Sequence, residues 1–272
     1  MNSAGTRGHA ARCAAAMLTG CALAGCGGGV PLLHPARVLS VGQTSFGAGM
    51  SDRSVLGAER KALASAEQRS PDSALPVTDP GYTRGVLVAV AEGPALVPWA
   101  SARVGIPGSN EGGLSYTGQA LRADARHAFE WDNSALSIGL GFTGHGFGQS
   151  ALELPGADLN HAHGVGLDLP LLFGYHTDAD LISVWAGLRG AYDHWSGTLT
   201  LDNDAPFSLS AGRLSGGPVL GLAVGLSPLW VAAELEVDYS HVTGTLDRAG
   251  GHYDAQLDGW SARPAGALIA KF

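Results

Sequence analysis

"LWVAAELEVDYSH", Leu229 to His241, alternates without a break. Leu229, Val231, Ala233, Leu235, Val237 and Tyr239 fall on one face of an extended chain. Trp230, Ala232, Glu234, Glu236, Asp238 and Ser240 fall on the other. Side chains of a strand point alternately to its two faces, so this period of two predicts a strand with one aliphatic face.

Three more stretches repeat the pattern. Ile182, Val184, Ala186, Leu188 and Tyr192 oppose Ser183, Trp185, Gly187, Arg189 and Asp193. Leu214, Leu220, Leu222, Val224 and Leu226 oppose Arg213, Ser215, Gly217, Gly221 and Gly225. Leu136, Ile138, Leu140 and Phe142 oppose Ser137, Gly139, Gly141 and Thr143. A soluble sheet buries its aliphatic face and covers the other with long polar chains. Here the second face is glycine, alanine and serine with a few arginines and acids, which suits a crowded interior. The aliphatic face is therefore assigned to lipid and the small, charged face to an enclosed lumen.

Composition agrees. Charged residues make up 15% of 272 residues, where soluble domains have about 25%. The lysines are Lys61 and Lys271 alone, and there are 41 glycines. Past the first 25 residues there is no apolar run long enough for a transmembrane helix. A net charge of −8 argues against nucleic acid as a partner. A low-charge, glycine-rich chain without a membrane helix can live in lipid as a closed β-barrel. The expected fold is all-β: a transmembrane, antiparallel, up-and-down barrel of about ten strands, with a short helix in its first long loop. The segments are 37–50, 83–91, 95–105, 114–130, 134–148, 164–176, 180–197, 207–226, 229–246 and 254–272. Their connections alternate long and short, as in outer-membrane barrels, and eight or twelve strands stay open. The helix is "SVLGAERKALASAEQR", residues 54–69, in the first external loop, with a lumenal plug as the alternative.

All three cysteines, Cys13, Cys21 and Cys26, precede residue 27. Arg7 and Arg12 are followed by the uncharged run "CAAAMLTGCALAG", which reads as a secretory signal. Leu23-Ala24-Gly25-Cys26 resembles the lipobox of bacterial lipoproteins. That resemblance implies cleavage before Cys26 and lipidation of its thiol, with Cys21 in "LTGC" as the other fit. The implied domains are a signal peptide at 1–25, a lipid-anchored tether at 26–36 and a barrel at 37–272. "ARPAGALIAKF", ending on Phe272, resembles the C-terminal signal of outer-membrane barrels. Together these imply the outer membrane of a Gram-negative cell, with the anchor on the periplasmic side. The implied partners are outer-membrane lipids and the barrel-assembly and lipoprotein-sorting machinery; the oligomeric state is open.

The predicted lumen holds Arg103, Arg122, Arg126, Arg189, Arg213 and Arg263 against Asp124, Glu130, Asp168, Asp193, Glu234, Glu236 and Asp238. A ten-stranded barrel lies just above the size that side chains can fill, so arginine–carboxylate pairs would brace it. The other outcome is a narrow charged pore. "VDYSHVTG", Val237 to Gly244, resembles the Tyr-x-His-x-Ser segment of outer-membrane lipid A deacylases. The resemblance implies His241 as base and puts Thr243 at the serine nucleophile's position. Asp247, Asp254 and Asp258 are equal candidates for its orienting carboxylate. "DHW", Asp193 to Trp195, resembles the Asp and His pairs of outer-membrane proteases. His161, His163 and Asp158 could touch one ion, yet lack a further fixed ligand. No metal or cofactor is expected. The leading functional expectation is a structural or interaction role.

Overall fold

The computed structural model describes residues 29–68, 80–93, 95–146, 157–158, 162–177, 180–201, 206–248 and 251–272. The leader, Cys13, Cys21, Cys26 and His161 lie outside the described residues.

The chain runs through β1 (Thr44–Asp52), β2 (Ser54–Leu56), α1 (Gly57–Glu67), α2 (Pro80–Glu92), β3 (Leu96–Ile106), β4 (Asn110–Tyr116) and β5 (Ala120–Trp131). It continues through β6 (Ser134–His145), β7 (Ala157–Asp158), β8 (His163–His176), β9 (Ile182–Leu201), β10 (Phe207–Leu226), β11 (Leu229–Arg248) and β12 (Gly251–Lys271). The pairing order β1-β3-β4-β5-β6-β8-β9-β10-β11-β12 closes through β1 on β12, antiparallel at every seam. The ring thus has ten strands. β2 carries β1 onward along β12 in one register, with Ser51 opposite Ala265 and Ser54 opposite Ala262. No described helix is long and apolar enough to cross a membrane; strands form the wall.

Alternation sets the two faces of that wall. On β11, Leu229, Val231 and Leu235 are 51%, 60% and 43% exposed, while Trp230, Glu234 and Glu236 are 5%, 4% and 2% exposed. The charged face is inside and the greasy face outside. At the end of the barrel where Phe272 lies, here called lower, Phe46, Phe129, Trp131 and Tyr175 ring the outer face. Toward the other end stand Tyr116, Tyr192 and an edge-on pair, Tyr239 and Trp260, 5.1 Å apart. Aromatic girdles flanking an aliphatic band mark a transmembrane barrel.

Above Tyr239 and Trp260 the outer face of β11 and β12 changes to His241, Thr243, Gln256 and Asp258. Here β9 to β12, of 20 or 21 residues each, rise well past the 7-residue β4. Their concave side holds α1 and α2. Ala62, Leu63, Ala66, Val86 and Leu87 pack there against Trp195, Leu199, Phe207, Leu209, Val242 and Leu246.

Three assignments need correction, two of strands and one of a helix. Segment 83–91 is not a strand but lies in α2. Its Val/Ala run mimics β alternation, but the helix is buried nearly all round, so it needs no polar face. Segment 114–130 is two strands, β4 and β5, folded about Gly118 at φ +82°. That backbone conformation favours glycine and allows a tight turn. The two errors cancel in the count. Of the helix placed at 54–69, residues 54–56 are β2. α1 is not a free loop helix; it fills the upper lumen beside α2.

Candidate functional site

The lumen is filled in three layers. The lowest is a strap of irregular backbone, residues 29–39, that precedes β1, turns at Leu33 (φ +47°) and lies inside the ring. Val30, Leu32, Leu33 and Ala36 are buried against Trp99, Leu172, Trp185 and Trp230. Sequence reasoning places these residues in a tether and at the barrel's edge instead. Glu234 accepts the backbone N–H groups of Leu32 and Leu33 at 2.8 and 2.9 Å and the Trp185 indole N–H at 3.1 Å. Beside the strap, at the lower mouth, lies a cavity of about 220 Å³ bordered by His34, Val38, Arg103, Trp230 and Lys271. Burial, reinforced by Arg126, Arg103 and Arg122, holds the His34 imidazole well below its usual pKa, so the ring is neutral.

The middle layer is a continuous chain of ion pairs. Arg126 contacts Glu111 at 2.8 Å, and Glu111 also pairs with Arg103. Arg103 reaches Asp124 at 2.6 Å, Asp124 reaches Arg122 at 2.8 Å, and Arg122 reaches Asp168 at 2.8 Å. Arg189 then joins Asp168 to Glu236, both at 3.2 Å. Arg263 links Glu236 at 2.7 Å to Asp238 at 3.2 Å. Arg53 lies 4.0 Å from Asp238 and 3.3 Å from Glu92. Arg213 spans Glu92 at 2.9 Å and Asp193 at 2.6 Å, and His145 closes the series on Asp193 at 3.2 Å. The seven arginines named are matched in number by seven carboxylates. Nearly every member is buried, and pairing is what makes such burial tolerable.

Glycine makes the room. A Cβ at Gly113 would lie 2.6 Å from the Arg103 guanidinium. One at Gly141 would run into Arg122 and Asp168, and one at Gly221 into the Trp185 ring. The small residues on the charged face are therefore sockets for the large ones.

The top layer is the helical pair. Glu59 of α1 is buried and accepts a hydrogen bond from the Ser240 hydroxyl. Burial, then the nearby Glu92 carboxylate, push its pKa up to about 7.

The structure thus joins Arg103, Arg122, Arg126, Arg189, Arg213 and Arg263 with Asp124, Asp168, Asp193, Glu236 and Asp238. Glu234 stands apart, bound to the strap. Glu130 sits at the lower rim, 3.8 Å from Arg37. Sequence reading missed Arg53, Glu92 and Glu111. Glu111 lay in a supposed loop, Glu92 follows a supposed strand, and Arg53 sits between β1 and β2.

On the outer face, His241 Nδ1 is 2.7 Å from Asp258 Oδ1, directly across the β11–β12 ladder. The structure chooses Asp258 over Asp247 and Asp254, both of which pair with His252. Thr243 lies on the same exposed face, and among the described residues no hydrogen bond joins it to His241. Asp193 and His194 point to opposite faces, which separates the "DHW" pair. His163 lies 3.1 Å from the Ser196 hydroxyl. Among the described residues no group of three or more His, Cys, Asp or Glu could hold a metal ion. Phe272 exchanges backbone hydrogen bonds with Thr44 at 2.9 Å and closes the seam between β12 and β1.

No protein-family model matches the chain, and no curated protein matches it. Among solved structures it is similar to Ail, the attachment invasion locus protein of Yersinia pestis, at 10% identity, covering 86% of this chain and 100% of that one, TM-score 0.34. It is similar to a major outer membrane protein from Thermus thermophilus at 14% identity, covering 86% and 100%, TM-score 0.37. The translocator domain of autotransporter NalP from Neisseria meningitidis matches at 13% identity, covering 97% and 95%, TM-score 0.34. The fold rests on the closed pairing and the outward aliphatic face, not on these likenesses.

Proposed function

We propose that the protein is a closed outer-membrane barrel with a structural or interaction role, whose working surface is the raised β9–β12 wall. The carrying observation is the filled lumen: strap, ion-pair layer and helical pair together occupy it. The lower end is then periplasmic and the raised wall external. Its partners are outer-membrane lipids and, during biogenesis, the barrel-assembly machinery. Reconstitution in a planar bilayer tests this. No steady single-channel steps are expected; steady steps would establish a channel instead.

Lipidation of Cys26 belongs to the same reading with one constraint. Cys26 precedes Gly29 by three residues, a reach of about 10 Å, and Gly29 abuts Arg263 and Arg53 inside the lumen. Acyl chains on Cys26 would have to reach the bilayer within that span. Intact mass of the mature protein decides whether its N-terminus is acylated.

A second reading is favoured by one contact, the 2.7 Å pair between His241 and Asp258. It lies just above the upper aromatic girdle, at headgroup depth, beside Thr243. A lipid-modifying hydrolase would use His241 as base, oriented by Asp258, and Thr243 as nucleophile. Loss of an acyl chain from lipopolysaccharide, abolished by both Thr243→Ala and Asp258→Asn, supports this reading; unchanged lipid eliminates it.

A further inference from the structure

The strap lies within the barrel but joins none of its ladders. Among the described residues, none of 30–39 makes a backbone–backbone hydrogen bond to a strand. Charged side chains of the wall hold its backbone instead. Glu234 accepts from Leu32 and Leu33, and Glu111 accepts from Leu39 at 2.8 Å. Arg189 donates to the Val30 carbonyl at 2.9 Å, and Arg126 donates to the carbonyls of Pro35 and Arg37. These four residues come from β11, β4, β9 and β5, so the grip surrounds the segment. Because it reads carbonyls and N–H groups, it recognises the backbone of a segment that turns at Leu33, whose φ is +47°. Pro31 and Pro35 bring no N–H to be satisfied, which suits a segment outside any ladder.

The wall is also shaped for this occupant. A Cβ on Gly174 would lie 3.0 Å from Ala36, and one on Gly105 would strike the carbonyls of Leu39 and Ser40. Trp185 and Trp230 face Leu32 and Leu33 in one apolar cluster. The neighbouring cavity of about 220 Å³ leaves space for larger side chains. Release of the strap would break six side-chain-to-backbone contacts and no strand pairing.

We propose that the lower lumen is a binding site for an apolar, proline-containing peptide, filled in cis by residues 30–39 and open to such peptides in trans once that segment is released. The inference goes beyond the closed-scaffold reading, which concerns the intact, seated state.

The test turns the strap into a separate ligand after folding. Val41, 66% exposed in the turn before β1, takes an engineered protease site in the full-length chain. The purified barrel is cut in detergent and challenged with a labelled synthetic peptide of residues 29–40. Saturable replacement of the cut strap by this peptide, but not by a scrambled one, is expected, with a change in tryptophan fluorescence from Trp185. Glu234→Gln should weaken peptide binding roughly tenfold, the scale of losing charge-assisted hydrogen bonds. Gly105→Val, which leaves those bonds in place, should speed exchange through the clash at Leu39. A folded cut barrel that never exchanges its strap would overturn the proposal. So would equal exchange with the scrambled peptide, or unfolding on cleavage, which would make the strap an inseparable part of the core. Conductance of the uncut protein tests the scaffold reading separately.

Discussion

Asp168 shows how one lumenal residue carries load from several strands. It accepts from Arg122 at 2.8 Å and lies 3.2 Å from Arg189, on β5 and β9. Removing one partner of a buried pair costs about 3–5 kcal/mol, because the other charge stays buried. Asp168→Asn is therefore expected to lower sharply the temperature at which the folded band disappears from a semi-native gel. A surface change such as Asp254→Asn should leave that temperature nearly unchanged. Glu59 supplies a pH-dependent counterpart. Its folded pKa, about 7, stands above its ordinary 4.5, so the folded state binds the extra proton between those values. Its contribution to stability is full below about pH 4.5 and is lost as pH rises to about 7. Hydrogen exchange of α1 should accelerate over that window in the native protein, and Glu59→Gln should remove this component of the slope. Parity along the strands was enough to place Arg122, Asp168 and Arg189 inside. Glu59 escaped notice because a helix in a supposed surface loop gives no reason to bury a carboxylate.

Elements were legible where one face met lipid and the other the lumen. The bounds of β10, 207–226, coincide with the sequence reading, and β11 and β12 differ by a few residues. α2 was illegible for a physical reason. "VLVAVA", 86–91, is surrounded by α1 and the raised wall, so burial on every side erases helical amphipathicity. The split of β4 from β5 was signalled by Gly118 and by a change of parity, since Leu114 and Tyr116 face outward before it and Leu121 and Phe129 after it. The close approach of the two helices makes the hairpin testable. A Cβ on Gly85 would lie 2.6 Å from the Ala62 carbonyl oxygen and would also strike Ala66. Overpacking of this kind costs about 1–3 kcal/mol. Gly85→Val is expected to expose α1 and α2 to limited proteolysis while the ten-stranded ring keeps its folded gel mobility. Loss of both together would mean that hairpin and ring form one cooperative unit.

At the scale of the molecule, the outer surface decides between lipid and water. Leu229 to Tyr239 is ten residue steps, about 33 Å along a strand at about 3.3 Å per step. A strand tilt of about 40° reduces this to about 25 Å along the barrel axis, the height of the apolar band in outer-membrane barrels. The same surface turns polar at His241, so the bilayer edge falls between Tyr239 and Thr243 on β11. Since the cysteines are Cys13, Cys21 and Cys26, a cysteine placed on the wall can be compared directly with the parent chain. Leu235→Cys should resist a membrane-impermeant maleimide, and an environment-sensitive dye attached to it should report hydrocarbon. Thr243→Cys should react on intact cells under the proposed orientation, with the raised wall external. Ser40→Cys, at the lower mouth, should react only after the outer membrane is opened. Reaction of Leu235→Cys as fast as Thr243→Cys would place the aliphatic face in water and overturn the membrane assignment. Reversal of the Thr243 and Ser40 results would keep the barrel in the membrane but invert it, placing the helical pair on the periplasmic side.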